Sequence, residues 1–113
     1  MSETLFSKII NREIPADIVY EDDKCLAFRD INPQAPVHIL IVPKQAIAKI
    51  AEASTDDRSL LGHLLLKAGE IAKQEGYGDA FRLIINNGAS AGQTVFHLHV
   101  HILAGRDFSW PPG

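Results

Sequence analysis

One segment of the sequence alternates strictly between apolar residues and histidine, from Phe96 to Ile102. Successive side chains of a β-strand point to opposite faces of the sheet, so this period of two predicts a strand, here Val95 to Leu103. The apolar residues of the segment should face the core, Phe96 included. The histidines of the other face, which we call the histidine row, are His97, His99 and His101. Imidazoles are costly to bury without partners, so the histidine row predicts a functional surface.

A second apolar pattern predicts one long helix. N-cap residues cluster from Ser54 to Asp57, and Gly76 and Gly78 are suited to end the helix. Residues at helical spacing form its apolar stripe, namely Leu60, Leu61, Leu64, Leu65, Ala68, Ile71 and Ala72. The opposite face, which includes His63, should be solvated.

Shorter patterns predict the other elements. A short amphipathic helix should run from Leu5 to Ile10, with a hairpin and two further strands following it. The predicted strands are Ile18–Tyr20, Cys25–Phe28, Val37–Val42 and Phe81–Ile85. Because strands and helices do not alternate, a parallel sheet is disfavoured. The sequence therefore predicts a single α+β domain over residues 1–113, with about five antiparallel strands and the long helix on one face.

Composition excludes several classes of function. The net charge is −3 and no run of Lys or Arg occurs, which disfavours binding to duplex DNA. No apolar run approaches the roughly 20 residues that span a bilayer. A single cysteine, Cys25, cannot form an intrachain disulfide and fits a reducing compartment. We therefore expect a soluble, cytoplasmic protein without a membrane partner. A chain of 113 residues buries a modest fraction of its surface, so a homodimer is plausible.

The histidine row is compatible with two kinds of chemistry. Three histidines, with His38 as an additional ligand, could bind zinc and leave a position open for water. Alternatively, a neutral imidazole could attack phosphorus while its neighbours move protons. The loop from Asn86 to Thr94 precedes the row and is rich in glycine and side-chain donors, which suits a phosphate group. This loop favours the chemistry at phosphorus, which needs no metal and no cofactor.

These residues resemble the histidine-triad superfamily, and within it the nucleotide-binding Hint branch. The histidine row matches the signature His-x-His-x-His followed by apolar residues, and the sequence ends in Trp110-Pro111-Pro112-Gly113 as that branch does. Further matching segments are Phe6–Ile10, Glu13–Pro15, Glu21–Ile31, Pro33–His38, Leu60–His63, Asn86 and Gly92-Gln93. The resemblance covers nearly the whole chain.

The resemblance implies a homodimer with one continuous sheet. It also implies a hydrolase that cleaves purine nucleoside 5′-phosphoramidates, with acyl-nucleotides as a further substrate class, and releases a nucleoside monophosphate. His99 aligns with the nucleophile, and His38, His97 and His101 align with its supporting histidines. The nucleotide contacts that it implies are Asp30 for the ribose, Leu5, Phe6, Ile9, Phe28 and Ile31 for the purine, and Asn86, Gln93 and Thr94 for the phosphate.

Two other functions stay open at this level. One is a nucleotide-binding regulatory protein with vestigial activity, and the other is a zinc-binding protein that uses the histidine row. The chain also departs from many relatives, which carry a histidine where it has Ala46. A shortened proton relay at that position predicts lower or differently pH-dependent activity. On the residues alone, Asp30 could cap a turn, and Trp110 could anchor the tail or contact a second subunit.

Overall fold

The computed structural model describes residues 3–113, and Met1 and Ser2 lie outside the described part. In chain order the helices and strands are α1 (Leu5–Ile10), β1 (Ile18–Glu21), β2 (Cys25–Arg29), β3 (Val37–Pro43), α2 (Arg58–Gln74), β4 (Phe81–Ile84) and β5 (Val100–Ala104). The strands form one sheet in the order β1-β2-β3-β5-β4, and every neighbouring pair is antiparallel. The predicted α+β fold with a five-stranded antiparallel sheet is therefore confirmed.

The central strand β3 is buried on both faces because a helix covers each side of the sheet. Ile39 and Ile41 pack in the core that α2 covers, together with Ala68 and Ile71. Alternate residues of β3 point the other way, where Leu40 and Val42 pack with Phe6 and Ile9 of α1. Full burial of a large aliphatic side chain contributes about 1.5–3 kcal/mol, so this strand anchors the fold. It also fixes the side of the sheet to which His38 points.

The long helix begins close to the predicted position. The Ser54 hydroxyl accepts a hydrogen bond from the Asp56 N–H (3.2 Å), and a 3₁₀ turn over Thr55–Asp57 leads into α2. One member of the predicted stripe, Leu65, is exposed rather than buried. The buried face of α2 is therefore narrower than the predicted stripe, and its buried residues are Leu64, Ala68, Ile71 and Ala72.

The prediction that His63 is solvated is wrong. Its Nε2 lies 2.6 Å from Oδ2 of Asp22 in the β1–β2 turn, and both side chains are largely covered. Burial opposes ionisation of Asp22, but hydrogen bonds from Tyr20, His63 and two backbone N–H groups hold its pKa well below the ordinary value. The pair ties α2 to the hairpin. Cys25 is fully buried and packs in the core that α2 covers.

The predicted last strand is too long, since β5 begins only at Val100. Its partner β3 ends at Pro43, which has no N–H to continue the ladder. The Leu98 N–H instead donates to the Ile47 carbonyl (2.6 Å). Phe96, predicted to be in the core, is exposed, because the period of two does not extend that far. Leu98, Val100 and Ile102 do lie in the core as predicted.

The chain after β5 turns back against the loop before β3. Gly105 has a φ of 95°, and a Cβ placed there would lie 2.8 Å from Cβ of Pro36. Side chains of Arg82 and Arg106 then lie over the ring of Phe108, with guanidinium carbons 5.0 and 4.4 Å from its centroid. Residues 105–109 are thus held as an irregular arm along the sheet. Within residues 3–113, no helix combines the length and apolar character needed to cross a membrane.

Candidate active site

Four histidines converge on the face of the sheet that α1 partly covers. His101 lies opposite Leu40 in the β3–β5 register, so His38 is its diagonal neighbour on the same face. The ring centroids of His99 and His101 are 5.0 Å apart, and those of His38 and His101 are 5.2 Å apart. His97 and His99 are buried rather than exposed, since the ring of Phe6 lies against both. The four histidines thus form one cluster in which His38, His97 and His99 are buried and His101 is half-buried.

Hydrogen bonds fix the tautomers of two of these rings. The Gln34 backbone N–H donates to Nδ1 of His38 (3.0 Å), so a neutral His38 carries its hydrogen on Nε2. That Nε2 lies 2.9 Å from Nδ1 of His101, and therefore donates to it. His101 in turn carries its hydrogen on Nε2. The chain from Gln34 through His38 leaves one N–H of His101 as a donor to a ligand.

Backbone carbonyls fix the other two rings, because a carbonyl only accepts. Nδ1 of His99 lies 2.8 Å from the His97 carbonyl, so the hydrogen of His99 is on Nδ1 and its Nε2 keeps a lone pair. Nε2 of His97 lies 2.7 Å from the Pro43 carbonyl and donates to it. His99 therefore presents an unprotonated nitrogen beside the N–H of His101.

The four rings are poorer bases than ordinary histidines. Burial is the main cause in each case, and it lowers the pKa of His38, His97 and His99 below the usual 6.5. Burial, followed by repulsion from His99 and His38, lowers the pKa of His101 to about 4. All four are neutral at pH 7, which is the form in which an imidazole nitrogen is a nucleophile.

An apolar pocket of about 160 Å³ opens beside the cluster. Its walls contain every residue predicted for the purine site, namely Leu5, Phe6, Ile9, Phe28 and Ile31. The ring of Phe6 meets Phe28 edge-on at 5.5 Å and His99 at 4.8 Å, so the wall of the pocket touches the candidate nucleophile. Ile31 is 99% exposed and forms the rim. A flat apolar ligand in this pocket would therefore share the ring of Phe6 as a neighbour with His99.

Asp30 caps a turn, which is one of the two roles considered for it, while its contact with a ribose stays a prediction. One carboxylate oxygen accepts the Asn32 backbone N–H (2.8 Å) and caps the turn after β2. The other oxygen lies 3.4 Å from Nε2 of His38. The residue also lines the apolar pocket, at the end nearest the histidines. The spacing of residues in the sequence does not reveal this contact between Asp30 and His38.

The side chain of Gln93 holds the predicted phosphate loop in place through hydrogen bonds to the backbone. Gln93 is 2% exposed, and its side-chain oxygen accepts the Gly88 N–H (2.8 Å). Its amide nitrogen donates to the carbonyls of Ala48 (2.8 Å) and Val95 (3.1 Å). The side chain is thus fully used within the protein, while Thr94 beside it is exposed and Asn86 is half-buried. That these three residues contact phosphate stays a prediction.

Two groups of side chains within residues 3–113 have the composition of a metal site. Ligand atoms of Asp30, His38 and His101 lie within 4.8 Å of one another, as do those of a second group, Asp22, Cys25 and His63. Neither group contains His97 or His99, each of which has one ring nitrogen hydrogen-bonded to a backbone carbonyl. Burial raises the pKa of the Cys25 thiol to about 12, which disfavours the thiolate that zinc needs.

The sequence did not reveal several groups on which the site depends. The Gln34 N–H and the Pro43 carbonyl are backbone atoms, and no residue type signals them. The pairing of His38 with His101 joins positions 63 residues apart. Only the register of β3 against β5 predicts this pairing, and that register cannot be read from a single sequence.

Comparison with known proteins agrees with the resemblance. The model of the HIT domain family matches residues 11–108, and the chain belongs to this family. An uncharacterized HIT-like protein of Synechocystis sp. is 68% identical over 111 residues, which cover 98% of this chain and 97% of that protein. A 14 kDa zinc-binding protein of Zea mays is 54% identical, over 99% of this chain and 89% of that protein.

The fold is shared with solved structures as well. The crystal structure of a HIT family hydrolase from Legionella pneumophila superposes with a TM-score of 0.96. It is 48% identical in sequence, and the alignment covers 98% of this chain and 100% of that one.

Proposed function

We propose that the protein is a nucleotide hydrolase that cleaves the P–N bond of purine nucleoside 5′-phosphoramidates. The observation that carries the proposal is the unprotonated Nε2 of His99, whose Nδ1–H is held by the His97 carbonyl at 2.8 Å. The ring that carries this nitrogen lies 5.0 Å from the ring of His101 and 4.8 Å from the ring of Phe6, which is a wall of the apolar pocket. The hydrolase name of the Legionella pneumophila structure supports the same reaction class.

The reaction takes two displacements at phosphorus. Nε2 of His99 attacks the α-phosphorus, the P–N bond breaks, and the departing nitrogen receives the hydrogen bond of His101 Nε2–H. The proton that completes the amine enters from solvent. Water then attacks the same phosphorus, the bond to His99 breaks, and a proton returns to solvent with the nucleoside monophosphate. The sum is the addition of one water molecule.

Each part of the site has one task in this scheme. The purine lies between the apolar walls that include Phe6 and Phe28, and the carboxylate of Asp30 faces the ribose. The phosphoryl oxygens meet Thr94 and Asn86 beside the loop that Gln93 holds. Fixed donors aimed at developing negative charge are among the larger contributions to catalysis.

Turnover of adenosine 5′-phosphoramidate in the presence of a strong chelator tests this function. We expect the wild-type protein to release adenosine monophosphate under these conditions and His99→Ala to release none. His63→Ala is the matched control, because His63 lies outside the site, and it should retain turnover. Loss of wild-type activity on chelation, restored by zinc, would contradict the proposal.

Zinc binding is a second candidate, which the group of Asp30, His38 and His101 favours. The name of the Zea mays relative points the same way. However, His38 Nε2 and His101 Nδ1 are 2.9 Å apart and share a hydrogen, so an ion would have to separate the rings. Elemental analysis of protein purified without added metal distinguishes the two functions, with about one zinc per chain expected only for the second.

We further propose that the protein is a cytoplasmic homodimer. Strand β4 is an edge of the sheet, and Ile85 beside it shares one shallow groove with Leu65 and another with Trp110, which is 82% exposed. The other edge is protected by charge, since Glu21 of β1 pairs with Arg12 and Lys44. Pairing across β4 would join two sheets into one and cover these side chains. Sedimentation at micromolar concentration showing only a 12 kDa species would contradict it.

A further inference from the structure

We propose that Arg106 is a positioning residue that fixes the tautomer of His38, acting through the backbone of Gln34. The tautomer of His38 can be measured in the protein without a substrate, so this part of the proposal does not depend on the function proposed above. The consequence of that tautomer for catalysis does rest on that function. Arg106 lies outside the histidine cluster and outside the apolar pocket.

Three hydrogen bonds connect Arg106 to the cluster. Its Nε–H donates to the Gln34 carbonyl (3.0 Å). The N–H of the same Gln34 donates to Nδ1 of His38 (3.0 Å), and Nε2 of His38 donates to Nδ1 of His101 (2.9 Å). The carbonyl of Gln34 is therefore held by Arg106, while the N–H of Gln34 donates to the imidazole of His38. The loop that contains it is exposed and has no regular secondary structure, so it depends on such contacts.

The guanidinium of Arg106 is itself held in place. Its carbon lies 4.4 Å from the centroid of Phe108, and its Nη1 donates to the Asp107 carbonyl (3.1 Å). One residue earlier, Gly105 lies so close to Pro36 that a Cβ would clash at 2.8 Å. The arm after β5 thus contacts the loop before β3 at both Gln34 and Pro36. A planar guanidinium suits this geometry, because it can stack and donate at the same time.

The position of Gln34 matters because a neutral histidine has two tautomers. An N–H aimed at Nδ1 allows only the form with hydrogen on Nε2. Without that donor, hydrogen on Nδ1 of His38 becomes permissible, and Nε2 then accepts from His101 instead. The hydrogen of His101 would move to Nδ1, and the N–H that faces the ligand would be lost. Oδ2 of Asp30 lies 3.4 Å from Nε2 of His38 and also favours hydrogen on that nitrogen, so the Nε2–H form of His38 is lost only in part.

Imidazole nitrogen chemical shifts in the free protein test the proposal. Long-range proton–nitrogen NMR of the wild type should show His38 with a protonated Nε2 and an unprotonated Nδ1. Arg106→Ala should move Nδ1 toward the protonated value, and should speed hydrogen exchange of the Gln34 amide by about threefold to tenfold. The Asp30 amide, which donates to the His38 carbonyl at 2.9 Å, should keep its exchange rate.

Arg82→Ala is the matched control. Arg82 also lies over the ring of Phe108 and donates to the Ser109 carbonyl (2.9 Å), and its side chain has no hydrogen bond to the loop of Gln34. It should leave the His38 shifts unchanged, while Arg106→Lys should show an intermediate effect. Unchanged shifts in Arg106→Ala, or equal changes in both alanine variants, would overturn the proposal.

Turnover then tests the catalytic consequence separately. We expect Arg106→Ala to lower kcat by about threefold to tenfold with little change in KM, and more strongly for basic amine leaving groups. An unreactive wild type would overturn the proposed hydrolase function alone, because the nitrogen shifts still decide the role of Arg106.

Discussion

His38 and His101 lie 63 residues apart in the chain, yet Nε2 of one is 2.9 Å from Nδ1 of the other. Because His38 Nδ1 is already an acceptor, this contact sets the direction of the hydrogen bond and leaves the second N–H of His101 free. The role of His101 as a donor to the leaving group follows from that direction. His99 has no such role, since its hydrogen is used by the His97 carbonyl.

The first prediction concerns His101→Ala. We expect turnover to fall by about a hundredfold or more, because removing one positioned hydrogen-bond donor to developing charge costs on the order of 10²–10³. The loss should grow with the basicity of the departing amine. The nucleotidyl adduct on His99 should still form and be trappable by rapid quenching. An equal loss for all leaving groups would show that His101 does not donate to the amine.

The second prediction concerns stability at low pH. The pKa values of the four clustered histidines are lower in the folded protein than the usual 6.5. As the pH falls below 6.5, the unfolded chain binds protons that the folded protein does not, so the free energy of unfolding falls. Each histidine contributes up to about 1.4 kcal/mol per pH unit within its window, which for His101 extends to about pH 4.

Urea denaturation between pH 7.5 and pH 4.5 measures this effect. His101→Gln should flatten the curve, since it removes the group with the widest window. Asp22 does not affect the curve in this range, because the stability that its carboxylate contributes is lost only as the pH falls near and below its ordinary pKa of 3.8. A free energy of unfolding that stays constant across this range would refute the assignment of neutral, buried rings.

The third prediction separates binding from stability in the apolar pocket. Ile31→Ala should raise KM for a nucleotide substrate and leave the free energy of unfolding within about 0.5 kcal/mol, because the side chain is 99% exposed. Leu66→Ala, on the outer face of α2 and 71% exposed, is the control that should change neither. Phe6→Ala should cost about 3–5 kcal/mol of stability, because its ring is buried between Phe28 and His99.

The fourth prediction concerns the base. The side chains around the pocket are mostly apolar, and its polar residues, Arg29 and Asp30, lie at one end. An apolar pocket discriminates area and shape, and it distinguishes poorly between single exocyclic groups. Adenosine and guanosine phosphoramidates should therefore show similar kcat/KM values. A preference greater than about a hundredfold would reveal a polar contact to the base edge.

The fold was largely predictable from local patterns. The continuous apolar run of β3 indicates a strand buried on both faces, while the alternation at the end of the histidine row and the spacing of the α2 stripe indicate which face is buried. The errors arose where tertiary contacts override the local pattern. The β3–β5 ladder does not continue to Pro43, so Val95 to His99 lie outside the strand. The hydrogen bond to Asp22 holds His63 against the β1–β2 turn, where it is largely covered.

The candidate site was predictable in its residue types and less so in its geometry. The pocket residues and the four histidines come together as the resemblance implies. What a single sequence cannot supply is the direction of each hydrogen bond, because the deciding partners are the Gln34 N–H and the carbonyls of Pro43 and His97. Gln93 shows the same limit, since its residue type suits a phosphate contact and its position within the loop makes it internal.

The central claim is that Nε2 of His99 is the nucleophile. Mass spectrometry of peptides from wild-type protein, quenched rapidly during turnover of adenosine 5′-phosphoramidate, tests it most directly. The account predicts an adenylyl group on His99 and no adduct in His99→Ala, while that variant still binds adenosine monophosphate through the apolar pocket. An adenylyl group on His38, His97 or His101, or a wild-type protein that turns over substrate with no adduct, would contradict it.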